Sequence, residues 1–176
     1  MITDTQGLST EDVRKYFQRI CEEAEGLMRD YDPRMILEWT DTNLIDGACF
    51  QVDVRIQKDG AHTGSIAMTL AKEDIMQLGG IFGAAVGKGA IADYSLNMNL
   101  REVVTHGKDA ATAKVTWREH VVMQAAASEG EESTEARGRF TIEAEADCVH
   151  LVVRDEGRLA LGMALCSGTA RLSVSD

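Results

Sequence analysis

The chain has 176 residues, 44% of them apolar and 27% charged, with 29 acidic against 18 basic side chains and a formal net charge of −11. That size and balance fit one globular domain with a buried core, and exclude a collagenous or disordered chain. Lys and Arg are scattered without a basic patch, so nucleic acid and anionic membrane surfaces would be repelled. No apolar run approaches the ~18 residues that a membrane-spanning helix needs.

The polar segment from Met1 to Thr10 lacks the basic-then-apolar layout of a secretory signal. A cytoplasmic location is therefore expected, unless an export signal has been removed. The four cysteines, Cys21, Cys49, Cys148 and Cys166, form no C-x-x-C pair, and each sits in an apolar pattern. They are expected to be reduced and to pack as small hydrophobes.

In chain order, residues 1–9 read as a flexible lead-in. Ser9 and Asp12 then mark a helix start, with acid near the positive end of the dipole. Val13, Tyr16, Phe17, Ile20, Cys21, Ala24, Leu27 and Met28 fall on one helical stripe. Asp32-Pro33 opens a second, shorter helix, where Asp caps and Pro is tolerated in the first turn. Its buried face is Met35, Ile36 and Trp39. Thr40 to Gly47 reads as a polar connector.

Alternation follows: Ala48, Phe50, Val52, Val54 and Ile56 against Cys49, Gln51, Asp53 and Arg55. Lys58-Asp59-Gly60 turns the chain back through Ile66, Met68 and Leu70, a hairpin signal. Ala71 to Lys88 has helical spacing at Ile75, Leu78, Phe82 and Val86, with Gly79, Gly83 and Gly87 on one stripe. Each helical glycine costs about 1 kcal/mol relative to alanine. Either a neighbouring backbone approaches that stripe closely, or the helix frays after Gly79.

The remaining half reads as strands. Tyr94, Leu96, Met98 and Leu100 alternate with polar residues, and His106 to Asp109 makes a turn. Ala113, Val115, Trp117, Val121 and Met123 continue the pattern. Ser128 to Glu135 reads as a mobile acidic loop. Phe140, Ile142, Ala144, Ala146 and Cys148 alternate with Thr141, Glu143, Glu145 and Asp147. Beyond Cys148 both faces are apolar, which predicts a bulge or cover on both sides. Arg154 to Gly157 turns into a last strand with Leu159, Leu161, Met163 and Leu165 on one face and Ala160, Gly162, Ala164 and Cys166 on the other.

Two helices, a hairpin, a third helix and four antiparallel strands form an order that resembles the nuclear-transport-factor-like superfamily, which includes SnoaL polyketide cyclases and ketosteroid isomerases. The ending Cys148 to Val174, with its strand–Arg154-Asp155-Glu156-Gly157-Arg158–strand layout, looks like that superfamily's final hairpin. The passage from Trp39 to Gly47 looks like its helix-to-first-strand connection. The resemblance implies a sheet curled around helices into a cone with an apolar interior. It also implies, for isomerase members, a carboxylate base near the first strand and a first-helix tyrosine donor beside a protonated acid. Tyr16 matches the tyrosine, and Asp46 or Asp41 lies near the base position. Phe140 to Val152 carries no equivalent of the protonated acid. Hot-dog thioesterases are the rival likeness, since they too have a Gly-rich helix followed by long strands, but they need neither N-terminal helices nor the hairpin.

Cofactor motifs fail on context. Gly87-Lys88-Gly89-Ala90-Ile91-Ala92 spells G-x-G-x-x-A, but the required strand before and helix after are reversed. No phosphate loop or G-x-S-x-G elbow is present. His62, His106, His120 and His150 show no metal spacing, so neither metal nor cofactor is expected. Parity is more informative. Glu119 lies in register with Val115, Trp117, Val121 and Met123, Glu102 follows Leu96, Met98 and Leu100, and His150 extends the Ala144–Cys148 series. A carboxylate on an apolar face has its pKa raised by desolvation, as a general acid–base group needs, or it pairs with a cation. Arg101, Arg118 and Arg139 are available for such pairing.

These observations predict an α+β domain whose strongly curved, mostly antiparallel sheet of about six strands wraps over three helices. The first functional reading is a pocket for a hydrophobic small molecule, with isomerase- or cyclase-like proton transfer by Glu119, Asp46 or His150 and Tyr16 as donor. Trp39, Met98, Glu102 and Trp117 would line the pocket. The second is a non-catalytic homodimer, joined through the outward row Val149, Leu151 and Val153. The third is a hot-dog acyl-thioester hydrolase.

Overall fold

The start of the first helix shows how local chemistry sets an element. The backbone N–H of Ser9 and its hydroxyl donate to the Asp12 carboxylate at 2.9 and 2.7 Å, while Asp12 N–H donates to Ser9 Oγ at 3.2 Å. This reciprocal box satisfies donors that the first turn would otherwise leave open. Helix α1 then runs Thr10–Arg29 and buries Val13, Tyr16, Phe17 and Ile20, as the stripe predicted. The computed structural model describes residues 7–29, 32–78, 91–124 and 139–175. Of the flexible lead-in expected over residues 1–9, residues 7–9 are described, and Leu8 is anchored, 4% exposed with its N–H donating to the Lys108 carbonyl at 3.1 Å. Residues 1–6, the glycine stripe after Leu78 and the acidic loop 128–135 lie outside the described residues.

Helix α2 spans Pro33–Asn43, capped by Asp32, which accepts from Arg34 N–H at 2.9 Å. It runs through the first half of the expected connector. Thr40 Oγ1 donates to the Ile36 carbonyl and Asn43 Nδ2 to the Trp39 carbonyl, both four residues back. Those bonds, together with burial of Thr40 and Asn43, let polar residues continue the helix. Strand β1 (Leu44–Lys58) follows at once and turns through Asp59 and Gly60, both at positive φ, into β2 (Ala61–Ala71). Residues 72–78 are helical (α3), and at their start Ala71 N–H donates to Asp74. Strands β3 (Ile91–His106), β4 (Ala110–Gln124), β5 (Arg139–Asp155) and β6 (Arg158–Ser175) complete the sheet.

The sheet order is β2-β1-β6-β5-β4-β3, with β1 parallel to β6 and every other pair antiparallel. The architecture is therefore the α+β arrangement expected, with a curled, unclosed sheet facing the helices. Val13, Phe17, Ala111, Ala113, Val115 and Val152, all at 1% exposure or less, form its tightest core.

Two register shifts correct the expected parity. One lies between Leu100 and Glu102 in β3. It turns Glu102 off the face of Leu96, Met98 and Leu100 to the surface, where it pairs with Lys114 at 2.6 Å. The other skips Gly162 in β6, so the inner face carries Leu161, Ala164 and Cys166 while Met163 and Leu165 face outward. Strand β5 keeps its alternation, and His150 stays inside. The expectation of four reduced cysteines is also corrected, because Cys148 and Cys166 are directly opposed across β5 and β6 and are disulfide-bonded. Cys21 and Cys49 are free.

Candidate functional site

Between the second half of α1, helix α2 and the inner face of the sheet lies a cavity of about 450 Å³. Leu27, Met28, Ile36 and Trp39 close it on the helical side, and Leu96, Trp117 and Val52 on the sheet side. Among the described residues its ionisable lining groups are Glu119 and Tyr94, apart from the disulfide pair Cys148 and Cys166.

Glu119 stands opposite Leu96 of β3 and Ala144 of β5, so its neighbours across the sheet are apolar. Burial raises its pKa above the ordinary 4.5, and the nearby Tyr94 phenol lowers it by a smaller amount. Tyr94 is itself pushed up, first by burial and then by the Glu119 charge, so it stays a protonated donor. A carboxyl and a phenol held together in an apolar cavity form a proton-exchange pair: one can accept a proton while the other donates a hydrogen bond.

The aromatic walls are fixed from behind. Trp39 Nε1 donates to Glu23 Oε2 at 2.7 Å, and Glu23 also pairs with Arg19 at 2.7 Å, which ties α2 to α1. Arg19 reaches on to Asn43 Oδ1 at 3.1 Å. Trp117 Nε1 donates to His150 Nε2 at 2.8 Å, and Phe17 packs against both rings. Burial lowers the His150 pKa to about 4, so the imidazole is neutral and serves Trp117 as an acceptor. Glu25 crosses from α1 to accept the Leu96 N–H on edge strand β3 at 3.1 Å.

Of the residues singled out from sequence, the structure brings Glu119, Trp39 and Trp117 together in the cavity. His150 sits behind the wall, oriented toward Trp117. Tyr16 is buried beside Phe17 and lines a different cleft, with Lys15, Arg19 and Arg158. Asp46 is solvent-exposed and holds Lys72 at 3.1 Å, while Asp41 meets the same ammonium at 2.8 Å. Lys72, 6% exposed, thus clamps the α2–β1 passage and keeps both carboxylates away from the cavity. Met98 packs into the core, and Glu102 is at the surface.

Sequence reasoning missed Tyr94 as a site residue by counting it only as an apolar member of its strand. Its shared parity with Leu96 was the available signal; its place diagonal to Glu119 depends on the β3–β4 register. Glu23 gave no signal, because its partner Trp39 lies on another helix.

No family model and no curated protein sequence matches the chain. Solved structures do. An uncharacterized protein with a cystatin-like fold from Caulobacter vibrioides superposes with a TM-score of 0.51 at 14% identity, over 90% of this chain and 88% of that one. An NTF-2-like protein from Silicibacter pomeroyi matches at 0.44 with 12% identity over 90% and 98%. A ketosteroid isomerase-like protein from Erwinia carotovora matches at 0.45 with 10% identity over 92% and 98%. The Caulobacter superposition shows a cystatin-like α+β fold, in keeping with the element order. Both N-terminal helices bear on the cavity, one burying core residues and the other closing a wall, so the hot-dog alternative has no support in this architecture.

Proposed function

We propose that the chain binds a hydrophobic small molecule in the cavity between α1, α2 and the sheet, and that Glu119 and Tyr94 exchange a proton with it. The observation that carries this reading is one half-buried carboxyl beside one half-buried phenol in an otherwise apolar cavity of about 450 Å³. Chambers of this size and lining, with few convergent polar groups, suit small-molecule binding. Isomerase- or cyclase-like chemistry fits, because both need proton transfer near neutral pH and little else from the protein. Tyr94 takes the donor role that the resemblance assigned to Tyr16.

The test uses N-phenyl-1-naphthylamine, an apolar fluorescent probe, with native mass spectrometry of the purified protein for any retained molecule. Probe binding is expected to quench Trp39 and Trp117 emission. Filling the chamber with Ala146→Phe is expected to abolish it at little cost in folding. Probe affinity equal in wild type and Ala146→Phe would overturn the reading.

A second reading has its own observation. On the outer face, Leu165 is 43% exposed beside half-buried Val149, Leu151 and Met163, an apolar end on an otherwise polar surface. That row supports a homodimer through the sheet. Light scattering with Leu165→Glu tests it: a dimer that becomes monomeric is the expected result.

A further inference from the structure

Three potential metal ligands converge at the cavity wall, Cys148 and Cys166 on it and His150 just behind it. The ligand atoms of Cys148, His150 and Cys166 all lie within 4.8 Å of one another. The register explains the convergence. Cys148 and His150 are two apart on β5 and share its inner face, Cys166 stands opposite Cys148, and small Ala164 stands opposite His150. His150 is 5% exposed; Nε2 accepts from Trp117, while buried Nδ1 has no partner among the described residues. Both cysteines border the cavity, so a small reductant can reach their bond.

We propose that reduction of the Cys148–Cys166 disulfide creates a three-ligand site for a soft divalent cation of the zinc type, built from both sulfurs and His150, with its fourth position open to the cavity. The first step balances with a thiol reductant: two thiols give two electrons and two protons, form their own disulfide, and leave Cys148 and Cys166 as thiols. The second releases both thiol protons as the cation binds two thiolates and the neutral imidazole. Two thiolates and an imidazole are a zinc donor set, and three protein ligands with an open fourth position are the arrangement of catalytic zinc sites. Oxidation withdraws two of the three ligands, so occupancy follows redox state. Occupancy also reaches the aromatic wall. Coordination through Nδ1 moves the ring proton to Nε2, and coordination through Nε2 takes its lone pair; either way Trp117 loses its acceptor.

The test titrates anaerobic protein with Co²⁺, in its disulfide form and after reduction by a phosphine that is then removed, with Zn²⁺ affinity taken from chelator competition. The reduced wild type is expected to bind one Co²⁺ per chain with thiolate-to-cobalt charge-transfer absorption, to release it to Zn²⁺, and to change its tryptophan emission. The disulfide form should show none of these. Cys148→Ser should abolish the absorption, His150→Gln should weaken binding about tenfold or more, and Cys21→Ser with Cys49→Ser should leave it unchanged. A Cys148→Ser, Cys166→Ser double variant, checked by circular dichroism, shows whether the fold stands without the bond. Equal binding in both redox forms, retention in the double variant, or no binding by the reduced wild type, folded or unfolded, would overturn the proposal. Probe binding by the disulfide form is scored separately, so the cavity reading can survive that failure.

Discussion

The two halves of the space under the sheet are built differently from one helix. The first turns of α1 offer Val13, Phe17 and Ile20 to Ala111, Ala113, Val115 and Val152, and nothing there exceeds 4% exposure. Large residues on the helix meet small ones on the sheet, and the volume is filled. The later turns offer Ala24, Leu27 and Met28 to Ala144, Ala146 and Cys148, and a chamber of about 450 Å³ remains. The small residues Ala24, Ala144 and Ala146 leave space between the larger Leu27, Met28, Trp39 and Trp117, and Glu119 and Tyr94 line it. The filled end packs large side chains against small ones, whereas the open end leaves a cleft in which the half-buried Glu119 has its charged form disfavoured.

That contrast can be broken by paired truncations. Phe17→Ala, at the filled end, is expected to cost about 3–5 kcal/mol through lost burial and a residual void. A denaturant midpoint barely below wild type would contradict it. Leu27→Ala, at the open end, should cost roughly 1–2 kcal/mol, since that side chain already borders empty space and loses fewer contacts. A loss as large as that of Phe17→Ala would show the cavity to be closed in solution.

Titration sharpens the contrast next. The folded His150 pKa, about 4, lies below its ordinary 6.5, so the unfolded chain binds the extra proton first. Stability from this group is full above about pH 6.5 and falls by about 3 kcal/mol as pH drops through 4. His150→Gln, which keeps an acceptor for Trp117, should flatten that slope in urea unfolding across the same window. Glu119 works in the opposite sense. Its folded pKa is raised above 4.5, so ionising it inside costs stability as pH rises beyond that value. Glu119→Gln should match wild type near pH 4 and gain on it toward neutrality, whereas a variant that loses stability on that rise would show Glu119 to be paired. The smallest effect is expected at the surface, where Glu102→Gln breaks an exposed pair with Lys114 and should change stability by less than about 1 kcal/mol.

The sheet face occupied by each residue separates what was legible from what was not. Glu119 and Trp117 were readable because β4 alternates without interruption from Ala111 to Met123. Glu102 was misplaced because a single bulge reverses every side chain beyond it, and no residue type near Arg101 announces one. Met163 and Leu165 were misplaced for the same reason at Gly162. Tyr16 looked like a donor because the resemblance puts a tyrosine on that helix, yet it lies about two turns before Ala24, where the cavity begins, and is buried in the filled end.

What the sequence determined by itself was local. Capping at Ser9 and Asp32, the helical stripe of α1, the Asp59-Gly60 and Glu156-Gly157 turns and the strand alternation all depend on residues within a few positions of one another. Only the tertiary structure decided the Glu119–Tyr94 pair, the Trp117–His150 and Trp39–Glu23 bonds and the opposition of Cys148 to Cys166. Each depends on strand register or on the docking of one helix against another. Those are set by the packing of the whole inner face, which no local pattern carries.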